Sequence, residues 1–328
     1  MKNIVTYEVH MELAGRMTQI PDSQKIFGAL IYLYSEYTSQ SKATELVQKI
    51  KNKELYMAVS DMMPQGYFPL PTLYLIEKAS EKGQKNTKRI YKEIKKRNYI
   101  KSDKILNILS NNERISDIYP YVHLKQSNQI HASIDSLHYH LDGLDSNIYS
   151  VPETIVLKVG KKDGIAEMVS EFCFYLSIEA GELEHELLKM LAYAKEKEKP
   201  FFLGQRASQG LNLYRIGQLQ KRADWHRAGA ESYLNLGMLL PDNLDFEKSY
   251  LNIFTSERKP YNQLEGWNKN KKNQFISFIS AGSILYFKNN KDKEFITGKS
   301  IASPFDGERA IVFGNPVLYP MNVKEGGI

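Results

Sequence analysis

The spacing of apolar positions predicts that the chain begins with a strand followed by a helix. Residues 5–13 alternate between apolar and polar side chains, a period of two that is typical of a strand with one buried face. The apolar positions are Val5, Tyr7, Val9, Met11 and Leu13. Asp22 or Ser23 can then cap a helix, because apolar residues recur at helical spacing from Ile26 to Tyr37.

Four later segments extend this pattern. The periodicity predicts a second helix over 43–51 and strands over 55–60 and 171–179. It also predicts a helix over 181–197 and a further strand near 211–219. With the intervening residues set aside, the order is strand, helix, strand, strand, helix, strand. This is the split βαβ, ferredoxin-like order, which RNA-recognition modules also use.

The residues set aside, about 77–165, are predicted to be an insertion with a basic helical part followed by hairpins. Between Glu77 and Lys104 there are eleven Lys and Arg against four Asp and Glu, a surplus that exceeds the net charge of +6 of the whole chain. Such a local concentration of positive charge favours binding to a nucleic-acid backbone. A solvated helix face would have the same composition.

Beyond Ala223 the apolar segments become shorter, and no strong amphipathic helix separates them. This favours a second, β-rich domain. We therefore predict an α+β fold of tandem ferredoxin-like domains. The first covers residues 1–220 and carries the insertion with a thumb-like hairpin; the second covers 221–328.

A glycine-rich loop lies between two apolar runs at 200–203 and 211–216. Glycine permits a positive φ, and successive backbone N–H groups in such a loop can form a concavity that binds anions. An arginine adds a planar donor suited to phosphate. An ordinary hairpin connection could carry the same residues, and the spacing is that of neither a P-loop nor a dinucleotide fingerprint. The loop consists of Gly204, Gln205, Arg206, Ala207, Ser208, Gln209 and Gly210.

No recognisable catalytic set accompanies this loop. His138 and His140 would share one face of a strand, but no cysteine completes a zinc set, and we predict neither a metal nor a cofactor. The single cysteine, Cys173, excludes an internal disulfide and fits a reducing compartment. The sequence has no apolar signal core and no apolar run long enough to span a bilayer. These features predict a cytoplasmic protein without a membrane partner.

Several short motifs, spread in order along nearly the whole chain, resemble the RAMP superfamily of CRISPR proteins. The resemblance is greatest to the family of fourth subunits of the type III-A Csm effector. The motifs are 22–30, 60–64 with 68–71, Lys95-Lys96, Ile134-Asp135, 147–151, the loop 204–210, 232–236 with 239–241, 281–283 and 314–316. Two loop glycines of the family pattern are replaced by Gln205 and Asn212, and Ser136 stands where arginine is common. Asparagine tolerates the left-handed region, so we expect the turn to survive.

The resemblance implies a non-catalytic, RNA-binding subunit of a type III CRISPR interference complex. Such a subunit holds the 5′ handle of the crRNA and bridges the large cyclase-type subunit to the backbone RAMP subunit. Sheet or thumb residues would then contact unstacked bases. The residues expected to contact RNA are the loop 204–210 together with Lys25, Arg89, Lys95, Lys96, His131 and His138.

Two other functions fit the same residues. A RAMP endoribonuclease that processes CRISPR precursor RNA would need an acid and a base, for which the candidates are His10, His131, His138 and His140. An architectural subunit would instead use the basic segment to dock an acidic protein partner.

Overall fold

The fold is given by a computed structural model of the chain. It describes residues 3–81, 87–110, 113–133, 147–161, 166–204, 206–222, 225, 230–257, 275–288, 297–303 and 310–321. Among these residues, no helix is both long enough and apolar enough to cross a bilayer.

A six-stranded antiparallel sheet forms the centre of the first half of the fold. Its order is β10-β11-β1-β9-β2, and β3 pairs with β9 beyond the end of β2. Across the sheet, the neighbours are β11, β1, β9 and β2. In the sequence these are the fourth, first, third and second of the four strands, which is the split βαβ arrangement predicted from the sequence. The strands are β1 (Ile4–Leu13), β2 (Met57–Val59), β3 (Met63–Pro64), β9 (Glu171–Glu179), β10 (Phe201–Phe202) and β11 (Leu213–Arg222).

Three helices cover one face of this sheet: α1 (Ser23–Tyr37), α2 (Gln40–Lys51) and α6 (Glu182–Glu196). The carboxylate of Asp22 accepts a hydrogen bond from the backbone N–H of Lys25 and caps α1. Ser39 caps α2 in the same way. The predicted apolar stripe of α1 lies in the main core, where Ile26 and Leu30 pack with Phe174 of β9.

The opposite face of the sheet is also buried along the first half of β1, which the alternation in β1 did not predict. Thr6 and Glu8 are almost inaccessible, and the Glu8 carboxylate forms an ion pair with Arg222 across the sheet. On β9, Tyr175 packs against Trp225, with ring centroids 4.2 Å apart. This part of the sheet is therefore covered, while Glu12 and Arg215 farther along the same strands are exposed. A contact between sheet residues and unpaired bases stays a prediction.

Between β3 and β9 the chain forms a second, five-stranded antiparallel sheet in the order β4-β5-β6-β7-β8. The long hairpin of β6 and β7 pairs over thirteen residues on each strand, while its role as a thumb stays a prediction. The sheet extends past the predicted insertion at both ends, because its three-residue outer strands carry no periodic signal. Its elements are β4 (Tyr67–Pro69), α3 (Thr72–Glu81), α4 (Thr87–Lys95), β5 (Tyr99–Lys101), α5 (Ile105–Leu109), β6 (Tyr121–Ser133), β7 (Asn147–Val159) and β8 (Ala166–Met168).

The described elements after residue 230 are all strands. A three-stranded sheet has the order β15-β12-β18, and two two-stranded sheets pair β13 with β14 and β16 with β17. This agrees with a β-rich second half, while a second ferredoxin-like domain stays a prediction. The strands are β12 (Ser232–Asn235), β13 (Ile253–Glu257), β14 (Phe275–Ile279), β15 (Ile284–Leu285), β16 (Ile301–Ala302), β17 (Ile311–Val312) and β18 (Leu318–Met321).

A small polar junction connects the C-terminal strands to the N-terminus of α1. The Ser23 hydroxyl accepts a hydrogen bond from the N–H of Met238 at 2.9 Å, and the Asp61 carboxylate accepts one from the N–H of Ser23 at 2.7 Å. The N–H of Asp61 donates to the carbonyl of Leu236 at 2.8 Å. Burial, with the nearby Asp22 carboxylate, raises the pKa of Asp61 to about 7.

This raised pKa predicts that the junction weakens as the pH rises. An aspartate in the unfolded chain has a pKa of about 3.9, so between that value and 7 the native state holds more protons than the unfolded state. Stability therefore falls with increasing pH in this window. We expect the free energy of unfolding to fall between pH 5 and 8, with Asp61 responsible for on the order of 2 kcal/mol.

Denaturant unfolding of Asp61→Asn at the two pH values measures this contribution, because asparagine keeps the acceptor for Ser23 without the charge. The variant should lose most of the pH dependence assigned to Asp61. Asp103→Asn is the matched control, since Asp103 is exposed. If Asp61→Asn and Asp103→Asn shared the slope of the unmodified chain, the junction would not contain a protonated Asp61.

Candidate nucleic-acid interface

The glycine-rich loop connects β10 to β11 at the edge of the central sheet, as the sequence predicted. A single 3₁₀ turn over Ala207–Gln209 forms its centre. Left-handed residues flank this turn, with Arg206 at φ 65° and Gly210 at φ 72°. Ser208, Gln209 and Gly210 are exposed, and the Arg206 guanidinium contacts the Gln209 amide oxygen at 3.4 Å. Gln205 lies outside the described residues.

Asn212 fixes the end of the loop, and it does more than replace a glycine. It is fully buried in the left-handed conformation, at φ 58°, so the turn survives as expected. Its side-chain oxygen accepts hydrogen bonds from the backbone N–H and the hydroxyl of Thr18, at 2.8 and 3.2 Å. Gly204 provides the space for this side chain, since a Cβ at 204 would lie 2.7 Å from Asn212 Cγ.

The segment that follows β1, residues 14–18, completes the surface around the loop. The N–H of Asn212 donates to the carbonyl of Arg16 at 2.8 Å. A Cβ at Gly15 would lie 2.9 Å from the carbonyl oxygen of Gly210, so only glycine permits this close approach. The Arg16 side chain is exposed, and among the described residues it forms no ion pair. Our sequence analysis missed Arg16; the available signal was the Gly15-Arg16 pair directly after the first strand.

The same segment joins the loop to the base of the long hairpin. On β7, the N–H of Thr154 donates to the carbonyl of Met17 at 2.9 Å, and its hydroxyl donates to the carbonyl of Thr18 at the same distance. A cleft of about 290 Å³ opens between the three elements. Its lining includes Arg16 and Met17 from the segment, Gln209 and Leu211 from the loop, and Gln129 and Glu153 from the hairpin.

The predicted basic segment divides into structural and exposed cations. Arg97 is almost inaccessible; it pairs with Glu93 at 2.8 Å and its guanidinium lies 4.3 Å from the ring centre of Tyr121. Lys96 also pairs with Glu93, at 3.1 Å. Arg97 is therefore part of the core, and the number of cations in the sequence overestimates the charge available to a partner.

Arg89 and Lys95 are exposed on α4, where Lys95 lies over the ring of Tyr91 at 4.5 Å. Among the described residues, no hydrogen bond or ion pair connects α4 to the glycine-rich loop. The end of α4 meets the hairpin at His123, whose ring bonds to the carbonyl of Lys96, whereas the cleft is at Gln129. Six residues of strand separate the two points by roughly 20 Å.

The other predicted RNA contacts are dispersed. Lys25 lies in the first turn of α1 and pairs with Asp22 at 3.0 Å. His131 is near the end of β6, but its side chain, like the whole of His138 and His140, lies outside the described residues. His10 is one-fifth exposed, and its ring contacts Gln65. No group of three potential metal ligands occurs in the part of the chain that the structure describes.

Comparison with known proteins finds similarity to this chain only at the level of three-dimensional structure. No family model matches the sequence, and a search of the curated proteins gives no match. A crystal structure of a Csm1-Csm4 cassette in complex with cA4 aligns with 99% of this chain and 100% of its own, with a TM-score of 0.57 and 16% identity. This chain has the fold of Csm4. A Csm3-Csm4 subcomplex of the type III-A CRISPR-Cas interference complex gives 97% and 99% coverage, a TM-score of 0.54 and 13% identity.

The buried position of Asn212 generates a prediction about stability. Replacement by alanine places a Cβ-bearing residue without a local hydrogen bond in the left-handed region, which costs about 1 kcal/mol. It also leaves the N–H of Thr18 unpaired, which costs a further ~1–3 kcal/mol. We expect Asn212→Ala to lower the free energy of unfolding by the sum of the two costs. Asn212→Gly should show only the cost of the lost hydrogen bonds to Thr18, because glycine adopts a positive φ without strain.

Asn243 provides the matched control for denaturant unfolding of these variants. It has nearly the same backbone conformation, at φ 54°, but it is exposed. Asn243→Ala should therefore show the conformational cost alone. Equal losses for Asn212→Ala and Asn243→Ala would mean that the hydrogen bonds to Thr18 do not stabilise the loop.

Proposed function

We propose that this protein is a non-catalytic, RNA-binding subunit of a type III CRISPR interference complex, in which it holds the 5′ handle of the crRNA. The observation that carries the proposal is the loop 206–210, exposed at Ser208, Gln209 and Gly210, and its setting within a Csm4 fold. Two left-handed residues direct the loop outward, and buried Asn212 fixes its end. A rigid loop of this kind can present backbone N–H groups to phosphates without a large loss of entropy on binding.

Two arginines supply the charge at this site. Arg206 lies in the loop, and Arg16 is exposed on the segment that packs against it. A guanidinium can bind two phosphate oxygens at once. The long hairpin adjoins the cleft and gives the RNA a second surface, whereas one face of the central sheet is covered by helices and part of the other is buried. RNA would therefore run along the edge formed by the loop and the hairpin.

The partners are proposed from the same likeness. The structures it resembles contain Csm4 together with Csm1 or with Csm3. We infer that this chain bridges a large subunit and a backbone RAMP subunit in a comparable cytoplasmic assembly. The exposed cations of α4, which lie away from the cleft, are then available either to RNA or to an acidic surface of a partner.

Sequencing of the RNA that copurifies with the tagged chain from its native host tests this function. Reads that share one repeat-derived 5′ end followed by diverse spacers support it. Random RNA, or none, would contradict it. Specific cleavage of CRISPR precursor RNA in the presence of a chelator would instead favour the endoribonuclease.

The two arginines predict a measurable loss of affinity. Arg206→Ala and Arg16→Ala each remove a charged donor, and we expect each to weaken binding of the copurified RNA about tenfold at fixed salt. Because one phosphate contact is lost, the slope of log K against log salt should fall by about 0.7. Fluorescence anisotropy over a salt series measures both quantities. Arg114→Ala is the control, since Arg114 is exposed but outside this site. An equal loss of affinity in that variant would mean that the effect comes from the net charge of the protein and not from a contact at this site.

A further inference from the structure

The cleft beside the glycine-rich loop contains polar groups that phosphate binding does not explain. Its volume of about 290 Å³ lies near the lower limit for ligand sites. Apolar surface comes from Met17, Val151, Pro152 and Leu211. Single-stranded RNA is recognised through unstacked bases whose edges form hydrogen bonds with the protein, and an apolar lining of this kind can contact the face of such a base. The dimensions and the apolar walls fit one unpaired nucleotide.

A carboxylate and an amide lie together on the hairpin side of this cleft. The register of β6 and β7 pairs Gln129 with Val151 and Ser127 with Glu153, so Gln129 and Glu153 are diagonal neighbours. The Gln129 amide nitrogen donates to the Glu153 carboxylate at 2.8 Å. Within the described residues, the other carboxylate oxygen of Glu153 and the side-chain amide oxygen of Gln129 form no hydrogen bond. The cleft therefore presents an array of acceptors.

A carboxylate is unfavourable beside RNA unless it contacts a base, because it repels phosphates. Arg16 lies elsewhere in the same lining and is the cationic group among its residues. This arrangement separates the two kinds of contact, with Arg16 placed for a phosphate and Glu153 for a base edge.

We propose that the cleft binds one unpaired nucleotide and selects guanine through Glu153. This inference rests on the proposed RNA-binding function. The Watson–Crick edge of guanine has two adjacent N–H donors, at N1 and N2, which match the two oxygens of a carboxylate. Adenine and cytosine offer one amino group there, and uracil offers a single N–H between two carbonyls. Uracil would place its carbonyl oxygens against the acceptors of Glu153 and Gln129, so it is the base most strongly disfavoured.

Selection from a random octanucleotide RNA library by the full chain, followed by sequencing of the bound fraction, tests this assignment. The unmodified chain should enrich guanine over uracil at one position by about fivefold or more, as expected for one bidentate base contact. Glu153→Gln should lose that preference, because a side-chain amide offers the guanine edge one acceptor in place of two. Thermal unfolding of each variant verifies that it folds.

Glu12→Gln is the matched control. Glu12 is exposed near the end of β1, opposite Arg215 on β11, but it does not line the cleft; its removal changes the charge equally and should keep the guanine preference. RNA bound without base preference, or a guanine preference that persists in Glu153→Gln, would overturn this inference and leave the proposed function intact. An unmodified chain that retains no RNA at low salt would overturn both.

Discussion

The candidate interface depends on one buried residue in an unusual conformation. Asn212 turns the chain into β11 with a positive φ, and its side chain holds the segment after β1 through Thr18. That segment in turn holds the base of the long hairpin through Thr154. Three stretches far apart in sequence thus meet through a short series of hydrogen bonds. Since buried polar groups must be paired, the loop, the segment and the hairpin have little freedom to move separately.

The central sheet contributes to the candidate site mainly by holding the loop and the segment after β1 in place. A split βαβ sheet with one open face can bind RNA directly, but here Phe68, Trp225 and Tyr319 pack against the face that the helices leave open. This second core covers part of the surface on which bases could stack. The edge where β10 and β11 meet the loop stays accessible, and it holds Arg16 and the exposed residues of the loop.

The sequence predicted local structure well wherever a strong period was present. β1, β9 and α6 match their predicted spans closely, and Asp22 caps α1 as predicted. The burial of Glu8 could not be predicted, because its partner Arg222 is more than two hundred residues away and pairs with it only through the sheet register. For the same reason the loop was found from its glycines, whereas Arg16, its neighbour in space, was not.

The charge pattern shows a further limit of sequence reasoning and a reason for the form of the site. The basic segment has the largest local surplus of cations, yet Arg97 is buried and Lys96 is paired. The end of α4 contacts the hairpin roughly 20 Å along the strand from the cleft. The loop region has few cations but a fixed backbone. A long polyanion can contact both places, so diffuse attraction by α4 and local positioning by the loop can be separate properties of one surface. The acceptors of Gln129 and Glu153 at the cleft then provide what neither feature supplies, a contact that depends on the base.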